Sequence, residues 1–257
     1  MSDPEKYPAP PPPEPAADKR APTPQQLILG AWVRDQIVMI AGTSDRSRQA
    51  ALGASEIGQK CERRIAYRIA GTPVVNHADP IRSLLGTGFH AAMAKGLRRL
   101  DRRMNRYLVE VRVSYRGVPG VVDLHDRAYR RASDWKTSSM SNIRRFITDG
   151  VPPNYQVQLQ IYAQGLIAAG EDVEEVALVF VPREAKSLSD IWCWSQPVDK
   201  AAADKAIDRY ERIADTTRRL NPAAVPAWPS NLCTYCPNHR AHAVDLSIAC
   251  PGKEASR

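Results

Sequence analysis

Two acidic residues and one lysine lie in neighbouring extended segments near the middle of the chain. Asp123 follows a β-branched run, and Asp134 and Lys136 flank Trp135 in a second segment beyond a short basic turn. Side chains two apart on a strand share a face, so Asp134 and Lys136 should point the same way and Trp135 the opposite way, into a core. Like charges and desolvation make such a grouping unfavourable for folding alone. It suits a divalent cation with oxygen ligands and a bound, activated water.

Further polar residues extend this group in a fixed order along the chain. The order is an upstream helical histidine, an Asp at a strand end, Asp-x-Lys, and a helix bearing Gln and Tyr: His90, Asp123, Asp134-Trp135-Lys136, Gln158 and Tyr162. This pattern resembles the PD-(D/E)xK nuclease superfamily, in its RecB-type exonuclease branch, over about residues 50–250. The resemblance implies an α/β fold with a mixed central sheet flanked by helices. It also implies a metal-dependent DNA exonuclease.

The acidic pair and its neighbours are expected to form a metal centre. We expect Asp123 and Asp134 to bind Mg²⁺ or Mn²⁺ directly, with help from the Trp135 carbonyl, and Lys136 to hold or deprotonate the water. By resemblance, His90 is a further ligand or orients one. The alternatives are a surface Asp–Lys pair, worth under about 1 kcal/mol, and a hydrogen-bonded core histidine. Glu110, one strand earlier, either faces the same cleft or is an exposed strand residue.

The helix after this segment carries the remaining candidates. Gln158 and Tyr162 are four residues apart and share a helical face with Tyr155. By resemblance, Gln158 would hydrogen-bond near Lys136 or the substrate backbone, and Tyr162 and Tyr155 would line the DNA path. The alternative is the polar stripe of an amphipathic helix.

Basic residues cluster on and beyond the end of the helix that carries His90. The chain has 36 Lys and Arg against 28 Asp and Glu, a formal net charge of +8, which favours an anionic partner. Arg side chains make forked contacts to phosphate oxygens, so the cluster predicts a DNA-binding face with little sequence preference. Its members are Lys95, Arg98, Arg99, Arg102, Arg103 and Arg106.

Four of the five cysteines form a second candidate site. Cys61 lies upstream, Cys233 and Cys236 form a C-x2-C pair, and Cys250 follows. This set resembles the iron–sulfur variant of RecB-type nucleases, which implies that four thiolates hold a [4Fe-4S] cluster. The 12 residues between Asn238 and Ala249 depart from the usual close spacing of the last cysteine.

A zinc site is the alternative use of the same segment. Cys233 and Cys236 together with His239 or His242 could hold Zn²⁺ tetrahedrally, and unligated thiols are the third possibility. Cys193, on a strand, is expected in the core.

The remaining sequence predicts one nuclease domain behind a tail. Residues 1–24 are proline-rich and predict a disordered tail, and residues 25–257 predict a single domain with helical N-terminal and Cys-rich C-terminal additions. No apolar run approaches the ~20 residues of a membrane helix, which predicts a cytoplasmic protein. Helices are expected at 25–42, 55–69, 80–103, 141–148, from 153, and at 198–220. Strands are expected at 107–115, 118–124, 132–137, 174–182 and 190–196.

These features favour an exonuclease that acts on free DNA ends in recombination, repair or end processing. The alternative is a non-catalytic or complex-dependent DNA-binding subunit that keeps the nuclease fold. No G-x-x-x-x-G-K-[ST] phosphate loop occurs, so any helicase or recombination partner must be a separate chain.

Overall fold

The computed structural model describes residues 22–42 and 52–253. The chain divides into two units, residues 1–44 and 45–257. In the first, helix α1 (Pro24–Gly42) begins at the proline that closes the predicted tail, and none of its side chains is buried. The rest of that tail, residues 1–21, lies outside the described residues. No described helix is long and apolar enough to cross a membrane.

The second unit combines helices with five strands in its described part, as the hydrophobic periodicity predicts. Its helices are α2 (Ala54–Ile57), α3 (Glu62–Ile69), α4 (Ile81–Leu100), α5 (Met140–Asp149), α6 (Pro153–Ala168) and α7 (Lys200–Arg219). Its strands are β1 (Tyr107–Tyr115), β2 (Val118–Asp126), β3 (Arg131–Ser138), β4 (Glu175–Pro182) and β5 (Trp192–Pro197).

The strands form one mixed sheet in the order β1-β2-β3-β4-β5. β1, β2 and β3 pair antiparallel, β4 pairs parallel to β3, and β5 closes the sheet antiparallel to β4. The parallel pair requires a crossover, and α5 and α6 supply it. The prediction of a mixed sheet flanked by helices is confirmed.

The crossover helix α6 forms the centre of the core. Nine consecutive residues from Gln158 to Leu166 are buried, because α6 lies between the sheet and helices α2 and α7. Pro153 opens it, as expected of a proline in the first turn, where no N–H is needed. A helix buried on every side holds its polar side chains only if they have partners, and the buried amides of Gln158 and Gln160 have them.

The single helix expected over residues 55–69 is wrong. The chain forms α2, breaks at Gly58, and restarts as α3 with Cys61 at the N-cap position in an extended conformation. Gly58 packs against the backbone of Asn154, where an added Cβ would come within 2.6 Å of the Asn154 Cα. This contact with the start of α6 explains the break.

Helix α4 is shorter than predicted and lies mostly exposed. It ends at Leu100, with Asp101 as its C-cap, so Arg102 and Arg103 lie in the turn that follows. Ala94 is its one buried residue. The Asp101 carboxylate accepts the backbone N–H groups of Arg106 and Tyr107, and this contact turns the chain from α4 into β1.

Close packing of α6 on β1 makes Gly165→Ala a test of this core. A Cβ there would lie 2.8 Å from Val113 Cβ and 3.4 Å from the Ser114 nitrogen, so we expect a loss of about 1–3 kcal/mol in the free energy of unfolding. Gly96→Ala in α4 meets open space and should be neutral or gain up to about 1 kcal/mol. Urea denaturation measures both, and equal midpoints for the two variants would contradict the packing described.

Candidate active site and cysteine site

Asp123 joins three elements of the fold. Its Oδ2 accepts the Trp135 backbone N–H at 2.8 Å, which ties β2 to β3 just beyond the last paired residues of these strands. Its Oδ1 lies 3.1 Å from His90 Nδ1 on α4. The other ring nitrogen of His90 lies 3.0 Å from the Trp135 carbonyl oxygen. The structure therefore brings together the predicted histidine, the predicted strand-end acid and the Trp135 backbone.

Asp134 and Lys136 form the second half of the site. Lys136 Nζ lies 2.6 Å from Asp134 Oδ2 and donates to Gln158 Oε1 at 3.1 Å. The Gln158 amide nitrogen donates to Asp134 Oδ1 at 3.0 Å and contacts the Tyr162 hydroxyl at 2.8 Å. Strand alternation explains why Asp134 and Lys136 share this face, as predicted. Trp135 is half-buried rather than part of the core, because helix α4, which contacts β3, is itself mostly exposed.

The Asp134 carboxyl is in an unfavourable place for a negative charge. It is 2% exposed, and burial raises its pKa, with Asp123 acting in the same direction and Lys136 against both. Its Oδ2 makes an ion pair with Lys136, and its Oδ1 accepts a hydrogen bond from Gln158. A buried carboxyl whose pKa is raised by burial and by a second acid is a feature of functional sites, including sites that bind a cation.

Two aromatic residues of α6 border this group. Tyr162 packs its ring against Gly120 of β2, where a Cβ would come within 2.4 Å of the ring, so only glycine fits there. The Tyr155 ring lies under Lys136, with Nζ 4.9 Å from the ring centroid. Both predicted tyrosines therefore touch the network, Tyr162 through Gln158 and Tyr155 through Lys136.

The donor set fits a hard divalent cation. His90 lies next to two of the candidate oxygens, with its Nδ1 3.1 Å from Asp123 Oδ1 and its Nε2 3.0 Å from the Trp135 carbonyl oxygen, and carboxylate and carbonyl oxygens are the ligands that Mg²⁺ and Mn²⁺ prefer. Asp134 adds a second buried carboxylate, which Lys136 and Gln158 hold in place. In this structure these groups hydrogen-bond to one another. Within the described ranges, no three His, Cys, Asp or Glu side chains are arranged closely enough around one position to hold a metal ion.

The basic residues separate into two groups. Lys95, Arg98, Arg99 and Arg102 surround one open surface hollow of about 370 Å³, and Arg103 is not among its lining residues. Arg99 is nine positions after His90, and at about 100° per residue it lies on the opposite side of α4. Arg106 instead makes a two-pronged ion pair with Asp126, at 2.8 and 2.7 Å.

The four predicted cysteines of the second site line one cavity of about 330 Å³. Cys61 comes from the start of α3, and the other three come from the chain after α7. Backbone N–H groups point at two of the sulfurs, from Trp228 to Cys61 Sγ at 3.4 Å and from Ser230 to Cys233 Sγ at 3.3 Å. Burial raises the pKa of the Cys236 thiol. Sulfurs with N–H donors around a shared cavity fit a thiolate-bound metal group.

The long spacing before Cys250 does not keep it out of the cavity. The segment 238–249 loops back, so that Cys250 forms an isolated parallel bridge with His239 and its N–H donates to the Asn238 carbonyl at 2.8 Å. His239 lines the same cavity, whereas His242 does not. Of the two predicted zinc histidines, the structure therefore brings one to the cysteines.

The expectation that Cys193 is a core residue is wrong. Its side chain is exposed, because β5 is an edge strand along which exposed and half-buried residues alternate. The neighbours Trp192 and Trp194 take the inward positions and pack against the core.

Sequence reasoning missed the residues that surround the cysteines. Tyr67 lines the cavity and donates from its hydroxyl to the Leu246 carbonyl at 2.7 Å. Lys60 lies over the Trp228 ring at 3.9 Å from its centroid. Tyr67 and Leu246 are 179 positions apart in the chain, and no local spacing pattern links such segments.

Comparison with known proteins gives structural neighbours but no sequence family. No protein-family model matches the chain, and no curated protein matches it. Among solved structures it is similar to SSO0001 (17% identity, 88% of this chain, 97% of that one, TM-score 0.44). It is also similar to a phage-related exonuclease from Haemophilus somnus 129PT (12% identity, 66% of this chain, 94% of that one, TM-score 0.47). A third neighbour is the alkaline exonuclease LHK-Exo from Laribacter hongkongensis (15% identity, 68% of this chain, 91% of that one, TM-score 0.46). Its structural neighbours thus include phage-related and alkaline exonucleases, and at these identities the likeness concerns the fold alone.

The buried network makes Gln158→Leu a test of the site's internal bonding. The substitution removes the acceptor of Lys136 and the donor to Asp134 while keeping an apolar body of similar size, so we expect a loss of about 1–3 kcal/mol in unfolding free energy. Gln160→Leu is the matched control, since Gln160 is equally buried but bonds to the Pro197 carbonyl and the Asp199 N–H. Chemical denaturation should give similar losses for both. A neutral Gln158→Leu would mean that the amide does not hold Asp134 and Lys136.

Proposed function

We propose that this protein is a divalent-metal-dependent DNA exonuclease that hydrolyses phosphodiester bonds at DNA ends. The observation that carries the proposal is the connected network in which Asp123, Asp134, Lys136 and Gln158 meet at the ends of β2 and β3 beside His90. Burying two carboxylates and an ammonium together is unfavourable for folding. Such a grouping is typical of functional sites, and a hydrolytic metal site requires these groups.

The residues that would hold the cation are Asp123, Asp134, the Trp135 carbonyl and His90. A bound Mg²⁺ or Mn²⁺ supplies charge that polarises the phosphate and acidifies a water. Lys136 holds the attacking water and offsets the negative charge that builds on the phosphate. Gln158 keeps the Lys136 ammonium and the Asp134 carboxylate in position, since it bonds to both. The Tyr155 ring supports the ammonium from its other side.

DNA is the anionic partner that the charge favours. The hollow lined by Lys95, Arg98, Arg99 and Arg102 offers several cations to successive phosphates. Nothing in this set reads base edges, so binding should show little sequence preference. Arg103 and Tyr155 remain predicted DNA contacts beside these four.

The cysteine cavity is proposed to hold a [4Fe-4S] cluster with a structural role. Cys61, Cys233, Cys236 and Cys250 supply four thiolates, which is the full ligand set of such a cluster. Because Cys61 opens α3 and the others follow α7, the cluster would tie the two ends of the domain of residues 45–257 together. The alternative, Zn²⁺, would use the C-x2-C pair with His239.

The pathways that suit such an enzyme are recombination, repair and end processing, with any helicase or recombination partner a separate chain. The second candidate function is a DNA-binding subunit that keeps this fold without activity of its own, or gains activity only in a complex.

Hydrolysis of end-labelled DNA tests the proposed reaction. With Mg²⁺ or Mn²⁺, we expect wild type to degrade linear DNA and to leave closed circles intact. Asp134→Ala should abolish degradation because it removes a ligand, and Lys136→Ala should slow it on the order of 100-fold or more. Asp172→Ala, which removes an exposed carboxylate from the loop before β4, should digest DNA as wild type does.

Each other outcome of this assay selects a different function. Intact linear DNA under every metal, with DNA still bound, would favour the non-catalytic or complex-dependent subunit. Cut circles would indicate an endonuclease.

Metal analysis of anaerobically purified protein tests the cysteine site. We expect about four iron and four sulfide per chain, lost in Cys250→Ser and in Cys61→Ser. Cys193→Ser is the matched control, because Cys193 lies on β5 away from the cavity, and it should keep the full content. Stoichiometric zinc without iron would replace the cluster by the zinc alternative.

A further inference from the structure

We propose that Glu110 and Arg98 are positioning residues that set the place of Asp123, a role that rests on the function proposed above. Glu110 has φ +50, and within the five described strands no other residue has a positive φ. The other non-glycine residues with this conformation lie in turns or loops: Asn105, Arg116, Arg130 and His242. For a non-glycine residue inside a strand, this conformation is strained and persists only where surrounding contacts hold it.

The strained residue lies directly across the sheet from Asp123. β1 and β2 pair as Val109 with Leu124 and as Val111 with Val122, and the intervening pair, Glu110 with Asp123, is missing from the ladder. Opposite residues of an antiparallel pair have Cα atoms about 4.5–5.5 Å apart. The break in pairing therefore falls at Asp123 itself.

This break shifts the alternation of side chains in β1. In β1, Leu108 and Val111 both pack against the same core cluster, although residues three apart on a regular strand face opposite sides. In β2, the unpaired Asp123 turns its side chain to the Trp135 N–H and toward His90.

Arg98 holds this kink from helix α4. Its Nη2 donates to the Val109 carbonyl at 3.0 Å and to Glu110 Oε2 at 3.1 Å. Arg98 thus bonds to the carbonyl that precedes the strained residue and to the side chain of that residue. It does so from the helix that also carries His90. Arg98 lines the basic hollow with Lys95, Arg99 and Arg102, and through these two bonds it also fixes the geometry of Asp123.

Glycine provides a direct test, because it adopts φ +50 without strain. Glu110→Gly should keep the kink, the metal affinity and the hydrolysis rate within about threefold of wild type. Glu110→Val should favour a regular strand, since a β-branched residue is least compatible with this φ. We expect it to lower kcat and the Mn²⁺ affinity at least tenfold. Ser114→Val places the same side chain at an exposed position of β1 and should change neither.

Exchange of the Trp135 amide hydrogen gives a readout that does not depend on activity. That N–H is donated to Asp123 Oδ2, so displacement of Asp123 should speed its exchange at least tenfold in Glu110→Val and not in Glu110→Gly. Arg98→Ala should speed exchange in the wild-type background and have little further effect in Glu110→Gly. A thermal unfolding curve for each variant identifies any that fails to fold.

The outcomes separate this proposal from the proposed function. If Glu110→Gly loses hydrolysis and metal affinity as Glu110→Val does, the carboxylate rather than the backbone matters, and the positioning role is wrong. Unchanged exchange in Glu110→Val would also overturn it. If wild type hydrolyses no DNA while the exchange pattern is as expected, the proposed reaction fails and the positioning of Asp123 stands.

Discussion

Two carboxylates buried where two strands meet α6 and the exposed helix α4 are the constraint on which this structure depends. Asp123 bonds to the Trp135 amide and contacts His90, and Asp134 is held by Lys136 and Gln158. Without these partners, each carboxylate would pay the desolvation penalty of a buried charge. The strand ends, α4 and α6 must therefore take their observed positions together, since removing any one leaves a buried polar group unpaired.

Helix α6 serves both the core and the site, and this explains its unusual composition. It is buried on all sides yet carries Gln158, Gln160 and Gln164. Gln160 ties the helix to the start of α7 through Pro197 and Asp199, while Gln158 faces the acidic pair. Buried amides with complete partners fix the rotation of a helix more strictly than apolar contacts do. The hydrogen bonds of α6 thus hold the site in register with the core.

The cysteine site acts on a different part of the same domain. It joins the start of α3 to the chain after α7, where the second small core of Leu52, Ile65, Ile213 and Val225 also lies. A shared metal group would reinforce a region with few buried apolar residues of its own. The two sites therefore lie in different parts of the domain. The acidic network lies at the sheet, and the thiols lie where the start of α3 meets the chain after α7.

Residue type, spacing and order along the chain were enough to predict much of this protein. Alternation and helical periodicity predicted the five strands and the crossover helix opened by Pro153, because they are local properties, while the grouping of Gln158 and His90 with the acidic residues and Lys136 followed from the resemblance in the order of these residues. Local pattern could not predict the break between α2 and α3, which a contact between Gly58 and Asn154 causes. It also placed Cys193 in the core, since an edge strand and a central strand share the same alternation.

Only the tertiary structure decided how residues distant in sequence meet. The loop of residues 238–249 carries Cys250 back to the other thiols, and the kink at Glu110 lies opposite Asp123. Both depend on pairings between separate segments, whose free energy comes from burial and hydrogen bonds that form only when the whole domain folds. The sequence by itself determined which chemical groups are present and in what order. The packing of α4, α6 and the sheet decided which of them touch.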